Sequence, residues 1–265
     1  MSGAVMTDHN SEPPIVHIID PMSAAYDAAF STFLAHTDQK IRAREELARV
    51  VGRLPRHRAL IDAGAGTGET TAWLAPMFDR TIAIEPNEHM RTELARRCPE
   101  ATVLGEDIAV AEPGVLADLV LCAHVLYYLP QPSWLSQLQR LASWTAEGGF
   151  TVVVLQNPDS DCMRLLRRFT GHRYDLDALG RAFAATAGAE WEVGISTDPA
   201  FITMPDLDTA LAIAQFMLNV IPLPQAPPVL EEVAAYLDEH FRTPEGYRLS
   251  CDQDFLELQH NGPEE

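Results

Sequence analysis

Short apolar runs alternate with amphipathic stretches along most of the chain. Ala59–Ile61, Thr81–Ile84, Thr102–Leu104, Leu119–Cys122 and Phe150–Leu155 are runs of three to six residues bounded by turn-forming or charged residues. Runs of that length without polar alternation fit strands covered on both faces. Helical periodicity fills the gaps between them: Thr70 to Phe78, a stretch capped by Asn87 and running to Arg97, and one opened by Pro132 and running to about Thr145. Strand and helix in alternation predict an α/β fold with a mostly parallel, doubly wound, Rossmann-like sheet and helices on both faces.

Two amphipathic helices precede the first strand. Asp20-Pro21 supplies a cap and a first-turn proline for a helix over 21–36, with Tyr26, Phe30, Phe33 and Leu34 at helical spacing. Asp38 can cap a second helix, with Ile41, Leu47, Val50 and Val51 inward and Gly52 at its end. Beyond residue 156 the pattern predicts helices over 161–169, 175–187, 206–220 and 229–241 and a strand over 190–196. Tyr247–Cys251 and Asp254–Leu258 are then expected to finish the sheet; these make eight candidate strands for a sheet expected to hold seven. The proline-rich 221–228 reads as a rigid connector.

Composition narrows the partners. The 265 residues hold 19 Lys+Arg against 38 Asp+Glu, a net charge of −19, which opposes nucleic acid and anionic membranes. The same charge either steers a cationic small substrate or merely maintains solubility. The cysteines, Cys98, Cys122, Cys162 and Cys251, are scattered without a C-x-x-C pair, so neither a zinc site nor a disulfide framework is indicated and no metal is expected. Residues 1–14 lack a signal-peptide pattern, and no apolar run approaches the ~18 residues of a membrane span. A cytoplasmic protein is expected, with its oligomeric state left open.

Candidate chemistry concentrates in Asp62-Ala63-Gly64-Ala65-Gly66-Thr67-Gly68, where a strand gives way through a glycine-spaced loop to a helix. Backbone N–H groups and a helix N-terminus face a ligand in such a turn, and glycine removes the Cβ that would stand between them. The dinucleotide fingerprint needs a third glycine at position 69, where Glu69 stands. An acid there repels a pyrophosphate, so a ligand with a positive centre and no phosphate fits better. The loop is similar to the first motif of class I S-adenosylmethionine-dependent methyltransferases, an acid followed by Gly-x-Gly-x-Gly after the first strand.

That resemblance implies S-adenosylmethionine as cofactor and S-adenosylhomocysteine as product. It implies cofactor contacts from Asp62, Gly64, Ala65, Gly66, Gly68, Glu85, Pro86, Met90, Asp107, Ile108 and Ala123. Glu85, 23 residues after Asp62 and at the end of the second strand, can take both ribose hydroxyls. Asp107 is similar to the acid that accepts from the adenine amino group, with Ile108 and Met90 beside the ring. His124 follows the fourth strand, where it serves as a base, an acceptor anchor or a loop cap. Of Tyr127 and Tyr128 at the same rim, at least one is expected to face the cleft.

A thinner likeness spans the whole chain. Tyr26-x-x-x-Phe30-x-x-Phe33-Leu34-x-His36, Leu126-Tyr127-Tyr128 and Asp254–Leu258 resemble blocks of histamine N-methyltransferase. This implies Tyr26 and Phe30 beside cofactor and acceptor and Asp38 facing the acceptor's cationic or imidazole end. Two departures fall on the acceptor side: His124 stands where that family has glutamine, and Ser250 or Cys251 where it has asparagine. The implied organisation is a tail over 1–14, an N-terminal helical lid over 15–54 and a cofactor-binding core over 55–197. A helical lid insertion over 198–246 and final strands with a tail over 247–265 complete it. Phe169, Tyr174, Phe201, Phe216 and Met217 are candidate lid walls.

The expected activity is methyl transfer to a small molecule, with the nitrogen of an amine or imidazole favoured. An O-methyltransferase acting on a carboxylate or hydroxyl is the alternative, and would want Arg164, Arg167, Arg168 or Arg173 turned inward. A non-catalytic protein that kept the fold is the third possibility.

Overall fold

The computed structural model describes residues 14–20, 23–220 and 227–261. The tail before Pro14, the Pro21 helix start and most of the proline-rich connector lie outside these residues. The first helix, α1 (Ala24–His36), is capped by Ser23, whose hydroxyl accepts from Tyr26 N. In α2 (Gln39–Arg53), Leu47, Val50 and Val51 are buried. Ile41 is not: it is 63% exposed, because a residue six positions before Leu47 falls on the other side of a 3.6-residue helix. Gly52 lies inside α2, which runs on to Arg53.

The core alternates as the pattern predicts: β1 (Ala59–Ala63), α3 (Glu69–Leu74), β2 (Arg80–Ile84), α4 (Glu88–Arg97), β3 (Thr102–Leu104), β4 (Ala117–Ala123), α5 (Trp134–Ser143) and β5 (Thr145–Gln156). Then come α6 (Asp161–Thr170), α7 (Leu176–Ala184), β6 (Trp191–Asp198), β7 (Phe201–Met204), α8 (Leu207–Leu218), α9 (Leu230–His240), β8 (Arg242–Thr243), β9 (Gly246–Ser250) and β10 (Gln253–His260). The main sheet has seven strands in the order β3-β2-β1-β4-β5-β10-β6. Strands β1 to β5 are parallel, and β10 runs antiparallel to β5 and β6. Strand order reverses between β1 and β4, so the loops after these two strands open the crevice in which ligands of such sheets bind.

The last strands depart from expectation. Tyr247–Cys251 does not finish the main sheet: β9 lies between β7 and β8, neither of which the sequence pattern predicts, in a separate three-stranded sheet. The physical reason is visible in β9, where Tyr247 and Leu249 are buried and Arg248 between them is exposed. A strand apolar on one side suits a small sheet with one covered face, whereas β10 has buried residues in succession and enters the main sheet. Against this small sheet and α8 and α9 pack Tyr26 and Phe33 of α1, giving a hydrophobic cluster distinct from those on the two sheet faces.

Candidate active site

The glycine loop leaves β1 with Gly64, Gly66 and Gly68 all at positive φ. At Gly66 (φ +56) an added Cβ would meet nothing within 4 Å, so the backbone there faces open space. At Gly68 (φ +80) the same atom would come within 2.6 Å of Leu94 Cδ1, so that glycine is required by packing as well as by conformation. Gly64, Ala65, Gly66 and the buried Asp62 form one wall of a cavity of about 220 Å³. Ala123 and His124 from the end of β4 lie on the same cavity. Phe30, Phe33 and Leu34 of α1, Met163 and Leu166 of α6, and Phe216 and Met217 of α8 supply its apolar surface.

Asp62 accepts the hydroxyl hydrogen of Thr71 at 2.6 Å. Burial pushes its carboxyl up to about 6, the Thr71 bond opposing and the nearby Glu85 adding to the rise. Glu85, at the tip of β2, accepts from Gly66 N and Asn87 N, each at 2.8 Å. Burial raises its pKa, and those two hydrogen bonds oppose the rise. Its carboxylate is therefore held against the loop by two backbone donors, and it is not among the residues lining the cavity.

The adenine-side residues lie apart from the cavity wall. Asp107 is exposed and its Oδ1 accepts from Ala109 N at 2.8 Å, an Asx turn. Ile108 is buried in the core beneath the sheet, Met90 packs against the lid cluster, and Pro86 is exposed. A loop with open space at Gly66, a buried acid beside it and a second carboxylate at the neighbouring strand tip suit a sulfonium nucleoside without phosphate.

His124 is the one non-glycine residue at positive φ (+59) among the described residues. An L-residue there carries backbone strain, of the kind that concentrates at functional sites. Its Nε2 lies 3.1 Å from Gln253 Oε1, and its ring stacks on Tyr127 with centroids 6.1 Å apart. Burial pushes the imidazole pKa below its ordinary value, the Gln253 bond opposes, and the charge of Lys40 pushes it further down. Tyr127 is buried, its hydroxyl accepting from Gln156 N at 2.6 Å. Tyr128 is 49% exposed and its hydroxyl meets that of Tyr26. Both tyrosines line the cavity.

Asp38 does not reach the cavity. Its carboxylate accepts from Phe201 N at 2.7 Å, tying α2 to β7, and it is absent from the cavity wall. The four arginines of the α6 region are also outside it: Arg164 pairs with Asp161, Arg173 with Asp159, and Arg168 lies over Phe169. The apolar face of α6 turns inward instead. Of the candidate lid walls, Phe216 and Met217 line the cavity, whereas Phe169, Tyr174 and Phe201 do not.

Several polar residues of the cavity escaped the sequence pattern: Gln39, Lys40, Arg44, Gln156 and Gln253. Lys40 and Arg44 both pair with Glu69, bridging α2 to the first residue of α3. A single glutamine or an i, i+4 pair of cations carries no sequence signature, since both are ordinary on helix surfaces.

Residues 34–195 match the methyltransferase domain family. Trans-aconitate 2-methyltransferases of Acidovorax sp. (strain JS42) and Acidovorax ebreus (strain TPSY) are each 30% identical over 141 residues, covering 52% of this chain and 53% of theirs. The chain thus aligns with about half the length of the curated relatives it matches. The structure of N-methyltransferase NodS from Bradyrhizobium japonicum WM9 with S-adenosyl-L-homocysteine superposes with a TM-score of 0.57 at 15% identity, covering 91% of this chain and all of NodS. A putative methyltransferase from Bacillus halodurans C-125 gives 0.59 at 11% identity, covering 82% of this chain and 100% of its own. With the domain match over more than half its length and the strand order of this fold, the chain belongs to the methyltransferase domain family, of the class I S-adenosylmethionine-dependent type.

Proposed function

We propose that the protein is an S-adenosylmethionine-dependent methyltransferase that methylates the nitrogen of a small acceptor arriving uncharged, with an imidazole-like N–H favoured over an aliphatic ammonium. The observation that carries this reading is the meeting of the glycine loop and His124 on one cavity, at the reversal of strand order. S-adenosylmethionine, when bound, supplies an electrophilic methyl carbon, and the carbon–sulfur electron pair returns to sulfur as the methyl leaves.

The chain's own residues then have three tasks. Gly66 and Asp62 form the cradle, and Glu85 at the strand tip is the candidate for the ribose hydroxyls. Phe30, Phe33, Met163, Leu166 and Phe216 exclude water, which strengthens alignment of the reactants. In an imidazole the methyl adds to the ring nitrogen that carries the lone pair, and His124 accepts the proton lost from the other ring N–H; in an amine it accepts the proton lost from the methylated nitrogen.

The charges support an uncharged acceptor. Among the described cavity residues the carboxylates are Asp62, bonded to Thr71, and Glu69, paired with Lys40 and Arg44. Neither is left to hold an ammonium, and a histidine with a depressed pKa is a poor base toward one. A second reading, O-methylation of a small carboxylate, is favoured by Lys40 and Arg44 on the cavity wall and by the trans-aconitate for which the matched relatives are named.

Calorimetric titration with S-adenosylmethionine tests the first step: no heat and no thermal protection would reduce the protein to a non-catalytic member of the fold. Labelled S-adenosylmethionine with a panel of imidazoles, biogenic amines, amino acids and small acids tests the second. Label transferred to acids alone would replace the nitrogen reading by the carboxylate one.

A further inference from the structure

Gln253 opens β10 and is buried, 1% exposed. Its Nε2 donates to the backbone carbonyl of Gln39 at 3.0 Å. A carbonyl oxygen only accepts, so the amide cannot be turned round without setting oxygen against oxygen. Its Oε1 is thereby committed to the other side, where it lies 3.1 Å from His124 Nε2. An amide oxygen also only accepts, so Nε2 must carry the hydrogen. In a neutral imidazole the lone pair then belongs to Nδ1, which has no hydrogen-bond partner among the described residues.

We propose that Gln253 is a positioning residue: fixed by the backbone of Gln39, it holds His124 as the Nε2–H tautomer and leaves Nδ1 as the bare basic nitrogen of the site. The role of His124 as proton acceptor rests on the function proposed above; the tautomer does not. Gln39 is the first residue of α2, so seating of the N-terminal helical segment and readiness of the base are one event. The Gln39 side chain adds to that seating, its Nε2 donating to Cys251 O at 2.9 Å just before β10 begins. The same clamp keeps the His124 ring in place although its backbone sits at φ +59. Charged and titratable groups share the cavity from each side: Lys40 from α2, Asp62 from β1, Glu69 from α3, and Tyr127 and Tyr128 from the turn after β4. None of them hydrogen-bonds the imidazole, so Gln253 alone sets the tautomer among the described residues.

Long-range proton–nitrogen NMR spectra of the full chain, labelled at histidine and with His124 assigned by loss of its signals in His124→Asn, read the tautomer directly. The wild type is expected to show Nε2 protonated and Nδ1 bare, with or without S-adenosylhomocysteine. Gln253→Met keeps the length of the side chain and removes both hydrogen bonds; it is expected to average the two tautomers. Gln253→Glu in its protonated form donates its O–H to the Gln39 carbonyl, keeps an acceptor oxygen opposite Nε2, and is expected to restore the Nε2–H form. With an acceptor in hand, Gln253→Met should lower kcat by about tenfold or more while the KM for cofactor stays within about twofold.

An Nδ1–H tautomer in the wild type, or an unchanged tautomer in folded Gln253→Met, would overturn the proposal. If circular dichroism shows that Gln253→Met does not fold, Gln253→Asn, which withdraws the amide by one methylene, replaces it in the same comparison. Wild type that binds no S-adenosylhomocysteine would defeat the methyltransferase reading and leave the tautomer result standing. Bound S-adenosylhomocysteine with the wrong tautomer would defeat the positioning role alone.

Discussion

The hydroxyls of Tyr26 and Tyr128 lie 2.5 Å apart, joining α1 to the turn that follows β4. The Tyr26 ring also packs 5.4 Å from that of Phe216 on α8. The hydroxyl pair is thus a polar tie between α1 and the turn after β4. Removing it by Tyr26→Phe keeps the ring contact and forfeits about 1 kcal/mol of the docking of α1. The expected outcome is an acceptor KM raised several-fold with cofactor affinity unchanged. Steady-state kinetics and calorimetry with S-adenosylhomocysteine check the two halves; equal loss of both would mean that the tie supports the core instead.

Two glycines of one loop should fail in different ways. Gly68→Ala meets Leu94 at 2.6 Å and adopts φ +80, so it should destabilise the fold by about 1–2 kcal/mol or more. Gly66→Ala meets no protein atom within 4 Å and sits at φ +56, so its larger effect should fall on cofactor binding. Larger side chains such as valine at Gly66 should block the cofactor outright. Melting temperature and S-adenosylhomocysteine affinity, measured side by side, separate the variants. A Gly66→Ala protein that binds normally would move the cofactor away from this loop.

Burial that raises the Asp62 carboxyl from 3.8 to about 6 makes the folded state the better proton binder between those values. The stability this group contributes is fully present below its unfolded pKa and is lost as pH rises through about 6. At neutral pH the loss amounts to roughly 3 kcal/mol, at ~1.4 kcal/mol per pH unit. Asp62→Asn keeps an oxygen for Thr71 and removes the charge. Its melting temperature should exceed that of the wild type at pH 7, with the gap closing toward pH 4, while cofactor affinity falls. A gap that widens on acidification would reverse the sign of the coupling.

The glycine-loop side of the cavity is written locally and the opposite side is not. Asp62 to Gly68 can be read because strand, turn and helix N-terminus are consecutive, and because φ beyond zero restricts the residue type. Four of the five strand runs are legible for the same reason, being buried over several adjacent residues, whereas β3 at the sheet edge is exposed at Thr102 and half-buried at Val103 and Leu104. Tyr247–Cys251 misleads because an apolar run does not say which sheet it joins; the pairing partner Phe201–Met204 is more than forty residues away. Asp38 misleads through likeness: an acid at the right place after α1 turns its carboxylate to Phe201 N. Gln253 meets His124 across 129 residues of chain, and nothing near either residue announces the other.

His124 combines a strained backbone with a functional ring, so the choice of substitution decides what is measured. At φ +59 an alanine carries the left-handed penalty of about 1–2 kcal/mol, and His124→Ala would mix lost stability with lost chemistry. Asparagine visits this conformation more readily, since its short polar side chain bonds locally. His124→Asn should therefore melt within a few degrees of wild type and bind S-adenosylhomocysteine normally. It should lose turnover by about 10²-fold, the lower end of what a positioned proton acceptor contributes. The wild-type rate should fall on the acid side as the imidazole protonates, at a pH below the ordinary histidine value because burial and Lys40 hold its pKa down. That limb should be missing from the residual activity of His124→Asn; an acid limb of the same position in both proteins would assign the proton to another group.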